Sequence, residues 1–125
     1  MTHRDPIPTP LLVTDGEGRE TAVTLVRRGD IDDETVAYAL KRFENVAAHV
    51  HEPILFARLV LGPTAEPDRW LPSEAQVALD VNGDVVRAEA RMETMIEAVD
   101  LAVDRLREQL RHRHDRRLAR RKEPA

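Results

Sequence analysis

The sequence predicts an α+β fold in the order β-α-β-β-β-α: a four-stranded mixed sheet with two helices packed on one face. Three observations carry that expectation. Ala75, Val77, Leu79 and Val81 alternate with polar residues up to Asn82-Gly83, and Val86, Ala88 and Ala90 alternate on the return, the pattern of a hairpin closed by a two-residue turn. Two further segments, one beginning at Asp33 and one at Met95, repeat apolar residues at steps of three and four, as amphipathic helices do. A β-rich run, Ala22-Val23-Thr24-Leu25-Val26, precedes the first of them. Both apolar stripes are buried most simply on the same side of one sheet.

Residues 1–20 hold three prolines and two glycines with little periodicity, and read as a flexible lead-in. The first strand follows from Thr21 to Arg27, with Val23 and Leu25 on one side. Asp32 is set to cap a helix, and Asp33 and Glu34 favour the positive end of its dipole. Val36, Leu40, Phe43, Val46 and Val50 then give a helix over 33–49, closed by Pro53. Ile54 to Leu61 reads as a strand, with Leu55, Ala57, Leu59 and Leu61 facing one way and Phe56, Arg58 and Val60 the other. Three prolines between Gly62 and Pro72 make a loop. After the hairpin, Thr94 and Glu97 form a capping box, and Ile96, Val99, Val103, Leu106 and Leu110 line the last helix. The domain is expected over 21–112, followed by a basic tail over 113–125.

The net charge of −4 hides a dipolar molecule. Residues 105–122 carry nine Arg or Lys against Glu108 and Asp115, so 9 − 2 = +7, while residues 1–104 give 10 − 20 = −10. Cations so crowded repel one another unless an anion relieves them, which makes nucleic acid the expected partner. Backbone phosphates are the expected targets, contacts that position a protein without reading sequence. The candidates are Lys41 and Arg42 on the first helix, off its apolar stripe, and Arg58, Arg87 and Arg91 on the outward face of the sheet. A solvated face is the alternative for any one of these five. The rest stand at the end of the last helix and in the tail: Arg107, Arg111, Arg113, Arg116, Arg117, Arg120 and Arg121. Tyr38, Phe43, Phe56 and Trp70 are the only aromatics, too few for a sheet that reads unpaired bases by stacking.

Other chemistry finds little support. Glu93, Glu97, Asp100, Asp104 and Glu108 share part of a helix surface, but acids early and bases late follow the helix dipole, and Asp104–Arg107 and Glu108–Arg111 are simple i,i+3 pairs. Nothing nearby serves as nucleophile or oxyanion donor. His49 with His51, and His112 with His114, stand two apart, so neither pair shares a helix face, and without cysteine no thiolate completes a metal set. Asn82-Gly83-Asp84 is accounted for by the hairpin turn, and no phosphate-loop or dinucleotide fingerprint occurs. The expectation is a protein that is not an enzyme, with no cofactor, no metal and no small-molecule substrate. No run approaches the ~20 apolar residues of a membrane span, and Leu11-Leu12-Val13 is too short for a signal-peptide core. A cytoplasmic, membrane-free location is expected.

Four segments resemble one family. Val36-Ala-Tyr-Ala-Leu-Lys-Arg-Phe-Glu-Asn-Val46, Ala57-Arg-Leu-Val-Leu61, and Ala75-Gln-Val-Ala-Leu-Asp-Val-Asn-Gly83 are similar to the ribosome hibernation-promoting factors, also called ribosome-associated inhibitor A or sigma-54 modulation proteins. The most specific segment is the last helix, from Met95 to Leu110, with its small-residue entry and its Leu106-Arg-Glu-Gln-Leu110 exit into basic residues. The resemblance covers roughly residues 21–117. It implies a fold like that of a double-stranded-RNA-binding domain. It further implies a bacterial protein that binds the 30S subunit or the 70S ribosome in the channel of messenger and transfer RNA, touches 16S rRNA, and silences translation in stress or stationary phase. The positions that match the family's basic groups are Lys41, Arg42, Arg58, Arg87, Arg91, Arg107, Arg111, Arg113, Arg116 and Arg117. Long members add a C-terminal dimerisation domain that pairs ribosomes, and such a domain is missing from this stretch. Residues 1–104 are acidic where the family tends to be basic, which shifts weight to the tail. The alternative is a general double-stranded-RNA-binding module acting off the ribosome.

Overall fold

The computed structural model describes residues 11–65 and 70–122, without the side chains of 121 and 122. The expected lead-in over 1–10, loop residues 66–69 and tail residues 123–125 lie outside the described residues. Seven elements follow in order: β1 (Leu12–Thr14), β2 (Glu20–Arg27), α1 (Asp33–Ala47), β3 (Ile54–Pro63), β4 (Ser73–Val81), β5 (Asp84–Met92) and α2 (Met95–Lys122). The strands make one sheet in the order β1-β2-β3-β4-β5. β2 and β3 run parallel through the α1 crossover, and the other pairs are antiparallel.

The sheet therefore has five strands, not four. The added strand lies inside the segment read as a lead-in, where Leu12, Val13 and Thr14 pair with Ala22, Thr21 and Glu20. Three residues are too few to show a period. The turn behind them supplies the reason they are ordered. The buried Asp15 carboxylate accepts from the amides of Glu17 at 2.8 Å and Arg19 at 3.1 Å, and from Arg19 Nε at 2.7 Å. Burial acts to raise its pKa, but the Arg19 side chain and the two amides outweigh it and hold the carboxyl below its ordinary value. Gly16 N donates to Val50 O at 2.7 Å, which ties this turn to the end of α1.

The predicted caps form as local chemistry dictates. Thr35 N donates to Asp32 Oδ1 at 2.7 Å at the start of α1. Glu97 N donates to Thr94 Oγ1 at 3.2 Å, and that hydroxyl donates to Glu97 Oε1 at 2.7 Å, at the start of α2. Asn82 (φ 52°) and Gly83 (φ 99°) both take the left-handed conformation that a type I′ hairpin turn requires. Two facing assignments change. A bulge between Ile54 and Phe56 turns Ile54 inward (6% exposed) and leaves the expected inward residue, Leu55, 61% exposed. On α2, Ala98 and Ala102 are fully buried while Ile96 is exposed.

The core sits between the helices and one sheet face: Val36, Leu40, Phe43, Val99, Val103 and Leu106 against Ala57, Leu59, Leu61, Val77 and Leu79. The opposite face, carrying Arg58 and Arg87, is not covered by any described element. α2 does not stop where a tail was expected; it is helical through Lys122, a length of 28 residues. Among the described residues, no helix is long and apolar enough to cross a membrane.

Candidate nucleic-acid interface

Strand register builds the first part of the interface. Thr24, Arg58, Ala78 and Arg87 form one row across β2, β3, β4 and β5, so two exposed guanidinium groups flank a small residue. Arg91, also on this face, lies opposite Glu74, with Arg91 Nε 3.7 Å from Glu74 Oε1. Glu74 is buried and, among the described residues, otherwise accepts only from Gln76 Nε2 at 3.4 Å, so Arg91 supplies the charge that compensates it and is less free than Arg58 or Arg87. The face holds a depression of about 810 Å³ whose far wall is a flank of α2, formed by Arg105, Glu108, Gln109 and His112. Arg105, absent from the sequence-derived candidates, donates to Glu89 O at 2.8 Å along the free edge of β5. Nothing in the sequence distinguished it from its neighbours.

The first helix contributes less than its charges suggest. Lys41 is exposed. Arg42 is turned toward α2, where its Nε and Nη2 donate to Asp100 and Asp104, both at 3.1 Å. Tyr38 Oη donates to the same Asp100 oxygen at 2.6 Å. That bond, with burial second, raises the Tyr38 pKa. The carboxylates early in α2 thus lock the helix pair together.

The cations of α2 divide by burial. Arg107 lies 3.8 Å from Asp104 and Arg111 lies 2.6 Å from Glu108, pairs whose side chains are more than half exposed. Such pairs contribute only ~0.3–0.5 kcal/mol, so a phosphate can replace the carboxylate at little cost. Arg113 differs. It is buried, its Nη1 donates to Glu52 Oε2, its Nε to Asp84 Oδ2 at 3.1 Å, and its Nη2 to Val81 O at 3.2 Å. Arg117 Nη1 donates to the other Glu52 oxygen at 2.6 Å. The Arg113 guanidinium holds the Glu52 carboxyl below its ordinary value against burial, which acts to raise it; Glu52 in turn raises the Arg113 pKa. The pair clasps α2 to the segment after α1 and to the β4–β5 hairpin. Arg116 and Arg120 project outward, and Arg121's side chain lies outside the described residues. Among the described residues, Lys41, Arg58, Arg87, Arg116 and Arg120 have no carboxylate within 4.0 Å.

The other flank of α2 borders a second groove of about 590 Å³ against the end of α1, with Val46, Val50, Leu110 and Leu118 inside and Arg107, Arg111 and His114 among its lining. The histidines do not converge: His51 Nδ1 sits 2.9 Å from Glu17 and His112 Nε2 3.2 Å from Glu108. Among the described residues no group of three metal-ligating side chains exists.

Comparison with known proteins adds independent findings. The family model described as sigma 54 modulation protein / S30EA ribosomal protein matches residues 24–118. The N-terminal domain of Protein Y from Thermus thermophilus is similar in structure, with a TM-score of 0.58 and 26% identity, covering 71% of this chain and 93% of that one. A ribosomal subunit interface protein from Coxiella burnetii gives a TM-score of 0.59 at 15% identity, covering 74% and 97% respectively, a likeness of fold alone. Comparison with curated proteins gives no match.

Proposed function

Because the chain belongs to the sigma 54 modulation protein / S30EA ribosomal protein family, we propose that it is a ribosome hibernation factor. In this reading it binds the 30S subunit in the channel of messenger and transfer RNA, against 16S rRNA, and inhibits translation under stress, acting in the cytoplasm without catalysis. The observation that supports it beyond family membership is the distribution of free guanidinium groups. Arg58 and Arg87 stand on the sheet face, whereas Arg116 and Arg120 stand at the far end of α2. Separated patches suit a shaped RNA cavity better than the single regular face of a duplex. Phosphate contacts at these points fix orientation, and the body between them fills the channel.

The test is sedimentation with purified 70S ribosomes and separated subunits, combined with a filter assay for messenger and initiator transfer RNA. The protein is expected to pellet with 30S and 70S particles and to displace both RNAs. Undiminished binding of both RNAs at saturating protein would exclude the channel. A random duplex of ~16 base pairs competing as well as ribosomes would instead mark a duplex-binding module acting off the ribosome.

A further inference from the structure

We propose that the open face of the sheet carries a subsite for one unpaired nucleotide, in which Phe56 stacks the base and Arg58 with Arg87 hold the phosphate. Regular alternation along β3 puts Phe56 on the same face as Arg58. Phe56 is 43% exposed and aligned with Asp80 and Val85 across the sheet, Val85 being 48% exposed. Two large apolar side chains thus stand open on a face that no described element covers. The neighbouring row carries Arg58, Ala78 and Arg87. Adjacent rows on one face are two residues apart, about 6.6 Å, a separation comparable to that between a base and its own phosphate. Ala78 leaves the floor low between the two guanidinium groups.

Charge decides the class of occupant. The depression is lined by Arg58, Arg87 and Arg105 against Glu89 and Glu108, and Glu108 is engaged by Arg111 and His112. Asp80 lies between Phe56 and Val85, and its carboxylate accepts from Gly83 N at 2.8 Å. A purely apolar partner would cover Arg58 and Arg87 without pairing them, which is costly. An anion with a flat apolar face satisfies both rows, and a nucleotide is such a molecule. Gln76 and Gln109 in the lining offer amide donors and acceptors to a base edge. One ring cannot read a strand, so the scarcity of aromatics still excludes a multi-base platform. It does not exclude a single stacked base. The geometry stands alone; only the assignment of the nucleotide to RNA rests on the ribosome reading.

The experiment titrates the full chain into a short single-stranded RNA containing 2-aminopurine, whose fluorescence falls when the base stacks. Phe56→Ala and Phe56→Leu are expected to weaken binding by about 5- to 100-fold, whereas Phe56→Tyr keeps it, since stacking needs the ring and not merely apolar surface. Arg58→Gln with Arg87→Gln should weaken binding and flatten its salt dependence. Adenosine monophosphate is titrated in parallel. Competition at the same concentration as RNA would support the subsite and assign it to a free nucleotide. Affinity unchanged in both Phe56→Ala and Phe56→Leu, with circular dichroism showing intact folds, would overturn the proposal. Sedimentation on the same samples separates the two readings. Ribosome binding without quenching of the short RNA sinks the subsite alone, and quenching without ribosome binding sinks the ribosome reading alone.

Discussion

Arg113 and Arg116 are one turn apart on α2 and chemically identical, yet burial assigns them opposite roles. Arg113 is 7% exposed and answers Glu52 and Asp84, whereas Arg116 is in water. Arg113→Ala is expected to cost roughly 2–3 kcal/mol in urea unfolding, because Glu52 Oε2 and the Val81 carbonyl lose the Arg113 donor inside the fold, with Arg117 left on the other Glu52 oxygen. Arg113→Lys should recover only part, since one ammonium cannot span three acceptors. Arg116→Ala should stay within about 0.5 kcal/mol. The same clasp sets an acid response. The folded-state pKa of Glu52 is depressed below its ordinary 4.5, so the clasp's contribution is present above that value and is lost as pH falls through the folded pKa. Glu52→Gln should therefore melt below the native protein at pH 7, with the gap closing as the pH is lowered toward 3. A gap that widens in acid contradicts the clasp. Part of this was legible: Arg113 continues the stripe Val99, Val103, Leu106, Leu110 at helical spacing, which marks a buried position. Its charge pointed the other way, and Glu52 is 61 residues distant, beyond any local signal.

At the scale of elements, α2 is one helix with two jobs. Its first half packs Val99, Val103 and Leu106 into the core, and its second half carries the clasp and then free cations. Thr94→Ala should cost about 1 kcal/mol, the usual loss of an N-cap, without affecting affinity. Shortening tests the second half. A chain ending at Leu118 retains Arg113 and Arg117 and should melt close to the full protein. One ending at His112 loses both and should melt lower by roughly 5–15 °C in calorimetry. Equal melting of the two would return residues 113–122 to the status of a detachable tail. The elements legible in the sequence are those fixed by nearby atoms: both caps, the Asn82-Gly83 turn and the two apolar stripes. The missed features depend on distant partners. β1 is ordered by the Asp15 turn and the Val50 carbonyl, and the choice of Ile54 over Leu55 as the inward residue is made by pairing with Val81. A two-residue period cannot show a bulge, because a bulge is where that period breaks.

For the molecule as a whole, counting charges along the chain overstates the field that the proposed RNA partner would meet. The +7 of residues 105–122 includes Arg113 and Arg117, neutralised by Glu52 and Asp84, and Arg107 and Arg111, loosely held by their own helix. Were all twelve candidate cations to contact phosphates, log affinity would fall with log salt with a slope near −11, at about 0.9 per contact. The five free candidates among the described residues give about −4 to −5, and exchange at Arg107 and Arg111 extends this to about −6. A salt titration of 30S binding should therefore return a slope between about −4 and −6, and a value near −11 would mean that the buried pairs open on binding. Substitutions then divide the surface. Arg116→Gln with Arg120→Gln should make the slope shallower by about two while leaving the melting temperature unchanged, since neither side chain has a carboxylate to lose. Arg113→Gln should do the reverse, lowering the melting temperature with the slope intact when measured well below the transition. If Arg113→Gln, still folded, flattens the slope as much as the outer pair does, the division of α2 between clasp and interface is wrong.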